Sequence, residues 1–194
     1  MTAINIIERA GVAAAEATDP ECALRALLTP LHTELGRRDG AFDLPNGVSQ
    51  FFVAGAFIVT PKAGWHMLVG NIGFPPEQHR LMIPIDGGHP GRVRSSGLPL
   101  HLPNTEAEPG SFKQYLKTAR MGSAIYAPMI WQGQFVGQIV LAGRARNTLS
   151  LADFSIMRAA APLAAATWMA QDGGGWMATN YPPDDAFRVT PEGL

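Results

Sequence analysis

The chain has 194 residues and a net charge of −1 at pH 7, and 46% of its residues are hydrophobic. This composition predicts one folded domain with a substantial core and argues against a disordered chain. No basic run is longer than the pair Arg37 and Arg38, so we expect no nucleic-acid partner.

Cysteine content and hydropathy indicate where the protein works. The one cysteine, Cys22, has no internal partner for a disulfide, which is typical of a reducing compartment. The acidic residue Glu8 follows the N-terminus without a basic segment, and no long uninterrupted apolar run is present. We therefore expect a cytoplasmic protein without a secretion signal or a membrane span.

Two helices are predicted at the start of the chain, the first over residues 3–17. Asp19 is typical of an N-cap and Pro20 of a first helical position, so a second helix begins there and is expected to end at Gly36. Residues 37–50 lack periodicity and predict a loop. The second helix carries an apolar stripe at helical spacing: Cys22, Leu24, Leu27, Leu28 and Leu31.

The middle of the chain predicts an antiparallel sheet. Residues 51–72 form two apolar runs around a turn, and residues 80–85 and 99–102 add shorter strands. Residues 123–131 and 135–142 flank a glycine turn, which predicts a further hairpin. Both faces of this last hairpin are apolar, so we expect it to be covered on both sides.

Helices are also predicted before and after the last hairpin. Ser111 is suited to cap a helix that precedes it. Ser150 and Asp153 have the spacing of a capping box and open a long helix with apolar residues every three or four positions. Beyond Gln171 the glycines and prolines predict an irregular tail.

These elements predict an α+β fold. An antiparallel sheet of about six strands would carry the N- and C-terminal helices on one face and a ligand pocket on the other. We divide the chain into an N-terminal helical extension (residues 1–22), the main domain (residues 23–170) and a C-terminal tail (residues 171–194).

Three segments in a fixed order resemble a known family. Residues 85–99 give a glycine-rich entry to a short helix, residues 123–129 give a strand beginning with serine and containing a proline, and residues 133–137 give a glycine-bounded hairpin. With the closing helix they resemble a GAF domain over residues 23–170. The resemblance implies a small-molecule sensor, dimeric through its terminal helices, and it extends to bacterial nitrate receptors that work beside a two-component kinase.

The glycine-rich bend before Pro90 predicts the binding chemistry. The first N–H groups of a helix have no acceptor in the helix and lie at the positive end of its dipole, so they bind anions or carboxylates. The glycines are equally typical of a plain turn, and the aromatic residues of an ordinary core. The predicted ligand-binding residues are Trp65, Gly88, His89, Gly91, Arg92 and Tyr126.

Catalytic versions of the family provide an alternative that the residues argue against. Methionine sulfoxide reductases resolve a sulfenic acid with a second thiol, and bilin attachment needs a thiol at the pocket, whereas this chain has only Cys22 in a helix elsewhere. No Ser, His and Asp arrangement is evident, and the histidines lack metal-ligand spacing. We expect no enzyme activity, no metal and no cofactor.

The expected partners follow from the sensor interpretation. We expect a small anion or carboxylate as ligand, a homodimer, and a histidine kinase or transcription regulator as receiver of the signal. An interaction module that uses the terminal helices without a ligand stays open as an alternative, and a small redox or hydrolytic enzyme ranks below it.

Overall fold

The computed structural model describes residues 2–62, 64–107 and 121–181. The strands are β1 (Phe52–Val59), β2 (Trp65–Ile72), β3 (Met82–Pro84), β4 (Leu100–Leu102), β5 (Ser123–Trp131) and β6 (Gln134–Gly143). The helices are α1 (Ala3–Glu16), α2 (Pro20–Glu34), α3 (Gly88–Ser96), α4 (Leu151–Ala170) and α5 (Gly173–Asn180), with a short 3₁₀ turn at Pro76–Gln78. The helix predicted from Ser111 lies outside the described residues.

The six strands form one antiparallel sheet in the order β3-β2-β1-β6-β5-β4. The predicted hairpins correspond to β1-β2 and β5-β6, and β1 pairs with β6 at the centre. Helices α2 and α4 cover one face, α1 and α5 pack on these two helices, and all four share a single large apolar core with the sheet. The α+β fold predicted from the sequence is confirmed.

Capping residues predicted where the two helices that pack on the sheet, α2 and α4, begin. Asp19 caps α2 by accepting a hydrogen bond from the Cys22 N–H at 2.9 Å. Ser150 and Asp153 form the predicted capping box of α4, since each side chain accepts from the backbone N–H of the other residue, at 3.2 and 2.7 Å. Among the described residues, no helix is long and apolar enough to cross a membrane.

The structure defines three boundaries more closely. Residues 173–180 form α5, so the prediction of an irregular tail is wrong for this stretch. The domain boundary drawn after residue 22 falls inside α2. Helix α3 starts at Gly88, inside the glycine-rich entry that the sequence indicated, and its C-cap is Gly97, which adopts a left-handed φ of 66°.

The α2 stripe is also revised. Leu24, Leu27, Leu28 and Leu31 are fully buried, as their spacing predicted. Cys22 is exposed instead, because it lies in the first turn of α2, whose buried positions are Pro20, Glu21 and Ala23.

A bulge in β6 changes which side chains reach each sheet face. Met129 pairs with Gly137 and Ile130 with Phe135, so Val136 is an extra residue in β6. Val136 packs toward the helices, whereas Phe135 stacks beside His66 on the opposite face. A Cβ on Gly137 would lie 2.6 Å from the Phe57 carbonyl oxygen, so this close strand approach requires glycine.

Candidate functional site

The sheet face opposite the large helical layer carries the candidate site, and we call it the site face. Phe74 and Tyr126 pack against both of its apolar clusters and therefore mark its centre. Tyr126 comes from β5 and faces this side because side chains alternate along a strand. The clusters consist of Phe57, Leu68, Leu81, Ile83 and Val140, and of Val53, Leu102, Ala124 and Ala142.

Helix α3 lies over β5 and β6 on the site face. Its anchor is Gln138 in β6, whose buried Nε2 donates to the Pro90 carbonyl oxygen at 3.1 Å. The centroid of the His89 ring lies 5.9 Å from that of Tyr126, and His89 is buried. The start of α3 is therefore held against the Tyr126 side chain.

Glycine is required at two positions for α3 to begin here. Gly88 has a φ of 60°, in the left-handed region that other residues rarely adopt. A Cβ on Gly91 would lie 2.2 Å from the Asp86 carbonyl carbon, so the helix start packs directly on the preceding turn. The first helical hydrogen bond runs from the Gly91 N–H to the Gly87 carbonyl at 3.0 Å. The positive end of the α3 dipole therefore lies near Tyr126 on the site face.

Five of the six predicted ligand-binding residues come together in this arrangement. Gly88, His89, Gly91 and Arg92 belong to the first five residues of α3, and Tyr126 lies beneath them. The side chain of Arg92 is exposed to solvent.

Trp65 is separated from the other five, which corrects the sequence interpretation. It is the first residue of β2 and packs against the large core under the helices. Its neighbour His66 occupies the site face instead, paired with Ile83 of β3. Because β2 is apolar on both faces around Trp65 and His66, the sequence did not reveal which of these two side chains would lie on the site face.

Sequence reasoning missed Gln138. It is fully buried, and within the described part of the chain its Oε1 has no hydrogen-bond partner. Its Nε2 holds α3, so Oε1 is the acceptor that remains. An amide inside an otherwise apolar strand was the available signal, because buried polar side chains are normally hydrogen-bonded.

Tyr126 is suited to donate a hydrogen bond. Burial in this apolar region raises the pKa of its hydroxyl well above the ordinary value. The hydroxyl therefore stays protonated throughout the physiological range and is available as a neutral donor.

A second polar group, His66, lies farther along the same face. It is fully buried, and neither ring nitrogen has a hydrogen-bond partner among the described residues. Burial lowers the pKa of His66 to about 4; Arg94 adds to this effect and Asp86 opposes it. Arg94 and Asp86 are themselves paired at 2.7 Å. Strands β1 and β6 separate His66 from Tyr126, so one small ligand does not contact both.

Cys22 lies away from the site face. It is exposed on α2, in the helical layer on the opposite side of the sheet. Desolvation and the nearby Asp19 carboxylate raise the pKa of its thiol, which disfavours the nucleophilic thiolate. Among the described residues, no group of three His, Cys, Asp or Glu side chains is arranged to hold a metal ion.

An antiparallel sheet with terminal helices on one face and a short crossing helix on the other is an architecture that supports a sensor or regulatory module in general. The GAF domain family model matches residues 19–168, and the chain belongs to this family. The resemblance inferred from the sequence is thus confirmed. None of the curated proteins matches the chain significantly.

Solved structures share the fold at low sequence identity. The GAF domain of a phosphoenolpyruvate-protein phosphotransferase from Coxiella burnetii is 19% identical, with a TM-score of 0.70 over 89% of this chain and 96% of that one. The corresponding Acinetobacter domain is 11% identical, with a TM-score of 0.68 over 93% and 95%. A free methionine-R-sulfoxide reductase from Neisseria meningitidis, solved with its substrate, is 15% identical, with a TM-score of 0.67 over 89% and 91%. The fold therefore occurs in GAF domains of phosphotransferases and in a methionine sulfoxide reductase.

Proposed function

We propose that this protein is a cytoplasmic sensor that binds a small anion or carboxylate beneath α3 and signals to a separate partner protein. The observation that carries the proposal is the meeting of the α3 start with Tyr126 over an apolar sheet face. Ligand sites of this kind are mostly apolar, with a few polar groups that orient the ligand.

The polar groups match a carboxylate. The protonated Tyr126 hydroxyl and the positive end of α3 both favour negative charge. Their apolar surroundings strengthen such hydrogen bonds because the local dielectric is low. Gln138 Oε1 accepts hydrogen bonds, so it favours a ligand that also carries a hydroxyl or amino group. A small hydroxy or amino carboxylate satisfies all three groups.

Binding without catalysis accounts better for the residues than reductase activity does. A thiol-based reductase needs a reactive cysteine at the substrate and a second thiol to resolve it. The single cysteine of this chain is Cys22, which lies on the other side of the sheet with a raised thiol pKa. We therefore favour a receptor over an enzyme.

Thermal unfolding with nitrate, acetate, lactate and alanine as separate probes tests the ligand proposal. A bound probe at about 100 times its dissociation constant stabilises the protein by about 2.7 kcal/mol and raises the melting temperature by several degrees. Tyr126→Phe removes the donor, so we expect the affinity for that probe to fall about tenfold or more.

Tyr181→Phe is the matched control. Tyr181 packs against the core on the helical side, so its variant should keep the full ligand response. Failure of all four probes, or an equal response from Tyr126→Phe and wild type, would contradict the proposal.

We further propose that the protein is a homodimer, with a histidine kinase or transcription regulator as the receiving partner. An apolar groove runs between α1 and α4, lined mainly by Ile4, Ile7 and Ile156. Ile4 is 78% exposed, and Leu151, which precedes the groove residue Ala152, is 70% exposed, so large apolar side chains face solvent at this groove. A second copy of the chain would cover both side chains.

Light scattering tests the dimer. We expect wild type to scatter as a dimer at micromolar concentration and Ile4→Glu to scatter as a monomer, because a charge in an apolar interface is left unpaired. Val12→Glu, exposed on α1 but outside this groove, should remain dimeric. A monomeric wild type would contradict the dimer. A dimeric Ile4→Glu would contradict the proposal that the interface lies at the groove between α1 and α4.

A further inference from the structure

Two consecutive residues of the β2–β3 connection contact opposite sides of the sheet. Leu81 is fully buried in the site-face cluster. Arg80 contacts the helical side, where its Nη2 lies 3.2 Å from Oε2 of Glu21 in α2. Its guanidinium carbon lies 5.1 Å from the ring centroid of Trp176 in α5. This connection therefore touches the site face and the C-terminal helix at once.

The connection is compact enough to transmit a displacement. The N–H groups of Gln78, His79 and Leu81 donate to carbonyls three residues earlier, at 2.9 to 3.1 Å. The Leu68 N–H donates to the Leu81 carbonyl at 2.8 Å and ties the unit to β2. Arg80 has a φ of 52°, a conformation that non-glycine residues rarely adopt and that the surrounding contacts must hold.

Helix α5 depends on docking to exist. It has only eight residues and begins with three glycines, each of which weakens a helix. It is joined to α4 through Asp172, which has a left-handed φ of 52°. Met177 anchors it in the large core, and Trp176 packs edge-on against Trp168 at 5.8 Å and lies under Arg80. Loss of one of these contacts should change how often α5 opens.

We infer that Arg80 is a latch that holds α5 against the domain, and that residues 74–81 transmit changes at the site face to α5. Phe74 begins this unit and packs against both site-face clusters. A ligand that displaces Phe74 or Leu81 would shift Arg80 relative to Trp176 and alter the docking of α5. Only the role of a ligand as trigger rests on the proposed function.

Amide hydrogen exchange in the ligand-free protein tests the latch. We expect Arg80→Gln to speed exchange in α5 about tenfold while exchange at Ala160 and Ala164 in α4 stays unchanged. Arg25→Gln is the control, because Arg25 also pairs with Glu21, at 3.6 Å, but has no place in the Trp176 stack. Trp176→Leu removes the same stack from the other side and should reproduce the Arg80→Gln result.

A double-mutant cycle tests the transmission. Phe74→Leu is expected to speed α5 exchange several-fold in the wild-type background and to have no added effect beside Arg80→Gln, because the latch is then already open. Unchanged α5 exchange in both Arg80→Gln and Trp176→Leu would overturn the latch. Additive effects of Phe74→Leu and Arg80→Gln would overturn the transmission. Both experiments use the ligand-free protein. Their results therefore test the latch and the transmission even if the sensor proposal fails.

Discussion

Substituting Gly91 with alanine is expected to lower the free energy of unfolding by about 3 kcal/mol and to abolish stabilisation by a ligand. The added Cβ would lie 2.2 Å from the carbonyl carbon of Asp86 and 2.4 Å from its oxygen. Both atoms are backbone, so a side-chain rotation does not relieve the clash. Alanine would otherwise stabilise a helix by about 1 kcal/mol relative to glycine, and the clash reverses that sign.

Urea unfolding measures the loss in the free energy of unfolding. The shift in melting temperature caused by each probe measures whether the site still binds a ligand. Gly174→Ala is the matched control: it is also a helical glycine, but nothing lies within 4 Å of its added Cβ. We expect this control to be as stable as wild type or slightly more stable, because alanine is the better helix former. A Gly91→Ala protein that is equally stable would show that α3 does not pack on the Asp86 turn.

Features that a few adjacent residues decide were predictable from the sequence. Asp19 and Pro20 start α2, and Ser150 with Asp153 starts α4, because capping needs particular side chains within three positions. Gly97 ends α3 because a left-handed φ favours glycine. The glycine bend was identified for the same reason, and it does position the start of α3.

Features that depend on distant contacts were not predictable. Trp65 and Tyr126 both lie on strands with two apolar faces. The pattern of hydrophobic residues therefore did not predict which face of the sheet either side chain would occupy. The bulge at Val136, which turns Phe135 toward His66, is visible only once β5 and β6 are paired.

Helix α5 shows tertiary contacts overriding local preference. Three consecutive glycines are poor helix formers, and they predicted an irregular segment. The segment is helical because Trp176 packs between Trp168 and Arg80, and Asp172 caps it by accepting from the Gly175 N–H at 3.1 Å. Arg80 is nearly a hundred residues from Trp176 in the chain, so no local sequence pattern predicted the contact between them.

His66→Leu is expected to make the protein markedly less sensitive to mild acid. Burial lowers the folded-state pKa of His66 to about 4, whereas the unfolded chain has the ordinary value of 6.5. In the unfolded state, His66 therefore binds a proton below about pH 6.5, whereas in the folded state it stays neutral down to about pH 4. Stability falls as pH falls through this window, by about 2 kcal/mol from this residue alone between pH 7 and pH 5.

Urea unfolding at pH 7 and pH 5 measures this contribution as the difference between wild type and His66→Leu. At pH 7 the variant should be at least as stable as wild type, because leucine removes two buried nitrogens that have no hydrogen-bond partner in the described part of the chain. Phe135→Leu is the control: it alters the ring beside His66 but keeps the titrating group, so it should lose stability equally at both pH values. An equal loss of stability between pH 7 and pH 5 in wild type and His66→Leu would contradict the lowered pKa of His66, and the Asp86 carboxylate would then offset the effects of burial and Arg94.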